Sequence, residues 1–407
     1  MWWRNNRVYL DYASAAPVSR AALCAYREAA HVWGNPASPH AEGRAAREVL
    51  EKARVAIARL LECKSDDIIF TSGATEANNL AIRGLVTPGS HVLYLPSAHA
   101  SIVESVRSLE GVLVEQIPIK DGAIDIETLG KMLRPSTVLI TLEAVCGETG
   151  TLWNTREVAK LVQSARDAAH RRVGPVSERA EDGIPSANVL LHVDASQAPF
   201  TQKVTRAHFG ADLLTLDAQK VGGIRGIGLL VAPHTTSLRP IMLGGGQERG
   251  LRSGTPAPGL ASAFAIALSE ASKGREQFSA QAAAARTHLL RQLSGIKALY
   301  VNEGRESSPH ILNLSLSGRD TDYLVMLLDA AGFAVSTRSA CETDLKPGEE
   351  PLGSRAVFAL TRDRARALST LRISWGPGVA ESLLTRLASA LVREVAFLDN
   401  TQPKSHY

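Results

Sequence analysis

The sequence predicts a doubly wound α/β domain, with a mainly parallel seven-stranded sheet between helices, joined to a second, smaller α+β domain. Three observations carry that expectation. The 407 residues are 45% apolar and only 21% charged, enough apolar side chain to bury a sizeable core. From about residue 66, short runs rich in β-branched residues and Leu alternate with longer amphipathic stretches, which is how strands buried on both faces look. After Thr255 the alternation gives way to a long Ala-rich stretch and a few isolated strand-like runs.

The elements follow in order. Ala46, Val49, Leu50, Ala53, Ile57, Leu60 and Leu61 repeat at helical spacing and predict one amphipathic helix over 41–62. The apolar runs 67–70, 91–95, 112–119, 138–142, 189–193, 213–216 and 228–231 read as the seven strands. Helical segments such as 76–85 and 155–169 lie between them, implying right-handed crossovers. Beyond Thr255 the pattern predicts a helix to about 294, strands at 311–315, 333–336 and 371–375, and a final helix near 382–398. The expected division is a large domain over 14–255 and a small one from 1–13 and 256–407. Two Gly-, Pro- and charge-containing segments, 173–188 and 342–356, exceed ordinary connection lengths. The first reads as a surface insertion; the second directly follows Cys341 and reads either as another irregular connection or as a functional mobile loop.

Charge and cysteine usage exclude several classes. The 45 Lys+Arg against 41 Asp+Glu are spread along the chain without a basic run, which argues against a nucleic-acid partner. No uninterrupted apolar stretch approaches the roughly 20 residues of a bilayer span, and the opening Met1-Trp2-Trp3-Arg4-Asn5 has no signal-like apolar segment. A soluble, cytoplasmic protein without a membrane partner is expected. Cys24, Cys63, Cys146 and Cys341 stand far apart, with no Cys-x-x-Cys pair and no His at metal-ligand spacing. That argues against a disulfide framework and against a metal site.

Ligands of open α/β sheets bind beyond the carboxyl ends of the strands. After the first run, Thr71, Ser72, Gly73, Ala74 and Thr75 open a helix, and such a turn offers unpaired N–H groups and a positive helix end to an anion such as phosphate. Sterics alone explain many such turns. His99 follows the second run; an isolated His there caps a helix or packs more often than it catalyses. Asp194 ends a buried run, where a carboxylate is costly without a cationic or N–H partner. Lys220 sits at another strand mouth among Gly222, Gly223, Gly226 and Gly228, as a Schiff-base nucleophile or as a solvated surface lysine. Phosphate cradle, pyridinium partner, ring-stacking His and Schiff-base Lys are together the parts of a pyridoxal-phosphate site.

With these residues in view, the sequence resembles the class V, fold-type I pyridoxal-phosphate-dependent aminotransferases, and within them the cysteine desulfurases of the NifS/IscS type. The matching motifs begin with Tyr9-Leu10-Asp11-Tyr12, Asn35-Pro36 with His40, and Phe70-Thr71-Ser72-Gly73-Ala74-Thr75-Glu76. They continue with His192-Val193-Asp194-Ala195 and Gln197, Gly244-Gly245-Gly246 through Arg252-Ser253-Gly254-Thr255, Ser339-Ala340-Cys341, and Arg372 before Ser374. The resemblance implies that Lys220 binds the cofactor covalently, that His99 stacks on its ring as acid/base, that Asp194 partners the pyridine nitrogen and that Gln197 bonds the ring oxygen. Ala74, Thr75 and the residues at 217 and 219 would meet the phosphate. Thr255 would reach the phosphate of a neighbouring subunit, implying a homodimer with shared sites. Arg372 and Asn35 would bind the substrate, Arg372 by clamping its carboxylate. Cys341 would be the persulfide-forming nucleophile, with Cys24, Cys63 and Cys146 inert and buried.

Three positions depart from the family pattern. Gly147 stands where the family has an Asn that contacts ring oxygen and substrate. Asp217 and Gln219 replace two phosphate donors; Gln219 still donates, but an ionised Asp217 about 5 Å from a phosphate costs on the order of 3 kcal/mol per unit charge at an effective dielectric of about 20. Asp217 therefore turns away, pairs with an arginine such as Arg225, or weakens cofactor binding. The expected function is removal of sulfur from L-cysteine, giving alanine and a Cys341 persulfide for an acceptor in iron–sulfur cluster assembly or tRNA thiolation. The rivals are another reaction on the same scaffold, aminotransfer or selenocysteine lysis, and a catalytically weakened paralogue acting as an interaction protein.

Overall fold

All seven apolar runs become strands of one sheet: β1 (Ile68–Thr71), β2 (His91–Tyr94), β3 (Leu113–Gln116), β4 (Thr137–Glu143), β5 (Leu190–Asp194), β6 (Leu213–Asp217) and β7 (Gly228–Val231). Their order is β1-β7-β6-β5-β4-β2-β3. Neighbours run parallel except at β7, which is antiparallel to both β1 and β6. The computed structural model describes residues 7–171, 188–337 and 353–401. In the central strands Leu191, Val193, Leu213, Leu214 and Leu216 are fully buried, each contributing a gross stabilisation of about 1.5–3 kcal/mol. The run 112–119 differs from its reading as a strand buried on both faces. It shortens to Leu113–Gln116, pairs only with β2 and leaves Leu113 and Gln116 exposed, because an edge strand has a neighbour on one side only.

The helices that set the sheet are α1 (Arg20–Ala30), α2 (Ala41–Leu61), α3 (Ala74–Leu85) and α4 (Ala100–Arg107). Along α2 the stripe Ala46, Leu50, Ala53, Ile57 and Leu61 is buried, as its spacing requires. Its start is capped by His40, whose Nδ1 accepts from the N–H of Gly43 at 3.2 Å. Helix α1 buries only Ala22 and Ala29, so Cys24 on its other side is exposed rather than buried as expected. Cys63 is half-buried, its thiol pushed up to about 11 by burial and by Asp67, and Cys146 is buried. A raised pKa disfavours the thiolate, the nucleophilic form, at Cys63.

The chain divides into two compact units, the larger formed by Pro17–Val145 and Trp153–Arg275, the smaller by Met1–Ala16, Cys146–Leu152 and Glu276–Tyr407. The Ala-rich stretch is a single helix, Pro258–Leu293, and the division falls inside it at Arg275/Glu276 rather than at 255/256. In the smaller unit Leu299–Val301, Ile311–Leu316 and Thr370–Ser374 form an antiparallel sheet, and Val8–Tyr9 pairs in parallel with Phe333–Ala334. The segment 146–152 joins this unit through the N–H of Ser308, which donates to the Gly150 carbonyl at 2.7 Å, and through the bridge between Thr151 and Ser307. The final helix, Glu381–Thr401, buries Leu384, Leu387, Leu391, Val395 and Leu398. Of the two irregular segments, 173–187 and 342–352 lie outside the described residues, as does Cys341. The second yields to a helix earlier than expected: Ser354 caps Arg355–Thr361 by accepting from the N–H of Val357.

Candidate active site

Three adjacent parallel strands end on acidic residues: β4 on Glu143, β5 on Asp194 and β6 on Asp217, all three buried. So many carboxylates at one end of a sheet are costly unless each finds donors and the group finds cations. Asp194 finds two neutral donors. Its Oδ2 accepts from Asn78 Nδ2 at 2.8 Å and its Oδ1 from the N–H of Ser196 at 2.9 Å. Asn78, on α3, also donates to Ser101 Oγ at 2.8 Å, and Ser101 Oγ lies 2.9 Å from His99 Nδ1. The imidazole of His99 caps α4 at the same time, its Nδ1 accepting from the N–H of Ser101 at 3.2 Å. With Nδ1 accepting, the neutral ring carries its proton on Nε2. The capping role that sequence reasoning allows for an isolated His is thus present together with a connection to Asp194.

One strand pair further along, Asp217 caps the turn Ala218–Val221 that carries Lys220, its Oδ1 accepting from the N–H of Gln219 at 3.0 Å. Gly222 ends that turn at φ +82°, which few other residues adopt at low cost. The other oxygen, Oδ2, accepts from the N–H of Ala74 at 2.9 Å, at the first turn of α3. Burial raises the Asp217 carboxyl above the ordinary carboxylate range; the Ala74 and Gln219 N–H groups and the Lys220 cation oppose that rise, and the Asp194 charge adds to it. The electrostatics therefore couple Lys220, Asp217 and Asp194 in one neighbourhood. Arg225 does not partner Asp217, and the carboxylate does not turn away: it sits on the helix end that the sequence marks as an anion cradle. Behind it, Gly228 lets β7 approach Gly73 so closely that a Cβ would stand 2.6 Å from the Gly73 carbonyl carbon.

The remaining expected residues are distributed as follows. Gln197 and Gln219 are half-buried, while Thr75 and Thr255 are exposed. Asn35 is exposed and spends its Oδ1 on the N–H of Ala37 at 2.9 Å. In the smaller unit Arg372 is buried. Its Nη2 donates to Asp11 Oδ1 at 2.8 Å and to Ser14 Oγ at 2.5 Å, its Nη1 to the Gly147 carbonyl at 3.0 Å, and its Nε is without a hydrogen-bond partner. Sequence reasoning missed Asn78, Ser101, Asp11 and Ser14 as partners of site residues. It also missed Arg252, whose Nε binds Glu76 Oε1 at 2.9 Å at the start of α3. Motif membership of Asp11 and Arg252 was a signal; for Asn78, only its position two residues after the matched segment ending at Glu76 was.

Fold and strand-end chemistry together define a fold-type I transferase. The aminotransferase class-V profile matches residues 8–170 and 175–381. The chain is 30% identical to cysteine desulfurase IscS 1 of Archaeoglobus fulgidus, covering 97% of this chain and 98% of that one. It is 33% identical to cysteine desulfurase IscS of Neisseria gonorrhoeae, covering 97% and 94%. Among solved structures, a NifS-like protein superposes with a TM-score of 0.83 at 25% identity, covering 96% of this chain and all of that one, and DndA from Streptomyces lividans with 0.70 at 30%, covering 91% and 100%. The chain belongs to the aminotransferase class-V family.

The family implies pyridoxal phosphate, and the donor set tests whether it fits. At the ring end it does: among the described residues the hydrogen-bond donors to buried Asp194 are neutral, and a protonated pyridine nitrogen is a cationic partner suited to such a carboxylate. Lys220 is half-buried in the next strand-end turn. At the phosphate end the helix seat exists but already holds a carboxylate.

Proposed function

We propose that this protein is a cysteine desulfurase, a pyridoxal-phosphate enzyme that moves sulfur from L-cysteine to its own Cys341 and releases alanine. The observation that carries the reading is the linked set Asp194, Asn78, Ser101 and His99 beside the Lys220 turn, in a chain similar to cysteine desulfurases over nearly its whole length. A further structural relative, at 26% identity and TM-score 0.72, is described as SspA in complex with cysteine.

When bound, pyridoxal phosphate supplies an electron sink for charge developing at the substrate α-carbon. Asp194 would hold the proton on the ring nitrogen, its carboxylate aimed by the Asn78 and Ser196 donors. Lys220 would hold the cofactor through Nζ and would serve as the base for the substrate α-proton. His99, with its proton on Nε2, would offer a donor to the ring, while Gln197 and Gln219 would donate to its oxygen and to the phosphate. Arg372 binds the cysteine carboxylate through the leftover Nε donor and a share of Nη2, with Asn35 as a second substrate contact. The Cys341 thiolate would attack the substrate sulfur; the carbon–sulfur bond would break with its electron pair left on the β-carbon, which takes up a proton while the α-carbon regains the one Lys220 removed, giving alanine, and a persulfide would remain on Cys341 for an acceptor protein or thiol serving iron–sulfur or thiolation chemistry.

A homodimer with Thr255 reaching the neighbour's phosphate is part of this reading. Ile241, Met242 and Leu243 are exposed beside the Thr255 loop, with Met242 bridged to Arg252, and such an apolar strip suits a second copy. No helix among the described residues is long and apolar enough to cross a membrane, and a reducing cytoplasm keeps a lone nucleophilic thiol free. Incubation with pyridoxal phosphate, L-cysteine and a reductant, followed by sulfide and alanine assays, is the test. The reading requires both products in wild type and loss of sulfide release in Cys341→Ala; alanine formation that survives that substitution undiminished points to a different class V reaction. The Asp217 carboxylate in the phosphate seat favours one second reading, a paralogue with weakened cofactor binding, which the same assay exposes as absence of both products.

A further inference from the structure

The amino end of α3 is a place where an anion is favoured, because its first N–H groups have no partner within the helix. Gly73, at the capping position, has no side chain with which to fill it. Asp217 fills it from a different strand: Oδ2 takes the N–H of Ala74 at 2.9 Å, Oδ1 takes that of Gln219 at 3.0 Å, and the carboxylate packs so near Gly73 that a Cβ there would meet it at 3.2 Å. The side chain is 6% exposed. The seat cannot recede, since the glycine contact between β7 and Gly73 braces it from behind. A phosphate arriving here meets a charge of its own sign on the N–H it needs.

Resting on the pyridoxal-phosphate reading above, we infer that Asp217 is a specificity-determining residue: an internal anion in the phosphate seat, which makes the chain discriminate weakly between pyridoxal 5'-phosphate and unphosphorylated pyridoxal. The ring end contributes equally to both compounds through Asp194 and Lys220. The phosphate adds little, because whatever it gains from Thr75 and Gln219 is offset by repulsion from Asp217. Two like charges about 5 Å apart in a partly buried site cost on the order of a hundredfold in affinity.

The experiment titrates wild type, Asp217→Asn and Asp217→Ser with each compound and reads the dissociation constant from the visible absorbance of the bound form. In wild type the two constants should lie within about tenfold of each other. Both substitutions should tighten pyridoxal 5'-phosphate by at least about tenfold and leave pyridoxal within about twofold. The wild-type ratio needs no variant to fold: preference for the phosphorylated compound by a thousandfold or more overturns the inference, as does equal or weaker phosphate binding in the two variants. If both compounds bind through Lys220 without these differences, only the role of Asp217 falls. If neither binds to any of the three proteins, the pyridoxal reading falls with it.

Discussion

Asp194 and Asp217 end neighbouring parallel strands, are buried to the same degree, at 7% and 6% exposure, and each accept two hydrogen bonds. Their partners make them different devices. Asp194 faces the side-chain amide of Asn78 and a local N–H, with the neutral ring of His192 two residues before it; these dipoles orient the carboxylate without supplying a countercharge. Asp217 takes the N–H at a helix amino end, where it satisfies the site's preference for negative charge and so competes with any later anion. A buried carboxylate thus recruits a ligand or excludes one according to the donors it uses, and burial alone does not distinguish the two.

The largest expected effect tests the common neighbour. Lys220→Ala should abolish the visible absorbance of cofactor-treated protein and lower sulfide release on the order of a thousandfold, with unchanged far-ultraviolet circular dichroism; a retained visible band removes Lys220 from the site. Next, Asp194→Ala should act opposite to the Asp217 variants, weakening cofactor binding. It should also destabilise the protein by about 1–3 kcal/mol for each donor it orphans on Asn78 and Ser196, read as a lower denaturant midpoint. Equal behaviour of the two aspartates would erase the contrast. Arg372→Lys should raise KM for cysteine roughly tenfold to a hundredfold with a smaller change in kcat, since an ammonium cannot reproduce the fork that holds Asp11, Ser14 and a carboxylate together.

The smallest effect is on stability. His192 is buried between Thr141 Oγ1 at 2.8 Å and Thr215 Oγ1 at 3.0 Å, and burial pulls its pKa down to about 4, with Asp194 opposing the fall. In the smaller unit His310 is pulled down to about 3 by burial and Arg286. A histidine whose folded pKa lies below its unfolded value binds its proton first in the unfolded chain. Stability is therefore fully present above about pH 6.5 and falls as pH drops through 6.5, toward about 4 for His192 and about 3 for His310, each group withdrawing roughly 1 kcal/mol by pH 5.5. Chemical denaturation at pH 7.5 and 5.5 checks this; equal midpoints exclude it for both groups.

Much of this was legible in the chain. Seven apolar runs became seven strands because a strand covered on both faces is mostly apolar, with its few polar side chains, such as Thr141, His192 and Thr215, paired with one another; the two-faced burial fails at β3, an edge strand. Asp194, Asp217 and Lys220 were found because strand ends are where such sheets bind ligands. The roles of Asn78 and Ser101 were not legible, since an Asn and a Ser inside helices carry no local signal of what they face. Cys24 was misread because an eleven-residue helix with two buried alanines has too little apolar pattern to show which side turns outward.

The sequence by itself determined the family, the strand order of chemistry along the chain and the identity of the departing residues at 147, 217 and 219, because each depends on residue type and local period. Only the tertiary structure decided that Asp217 grips the amino end of α3 and that the backbone carbonyl at 147, which does not depend on the residue there, holds Arg372. Both contacts join residues far apart in the chain, and direction of approach, which sets whether a charge binds a helix end or avoids it, has no local code.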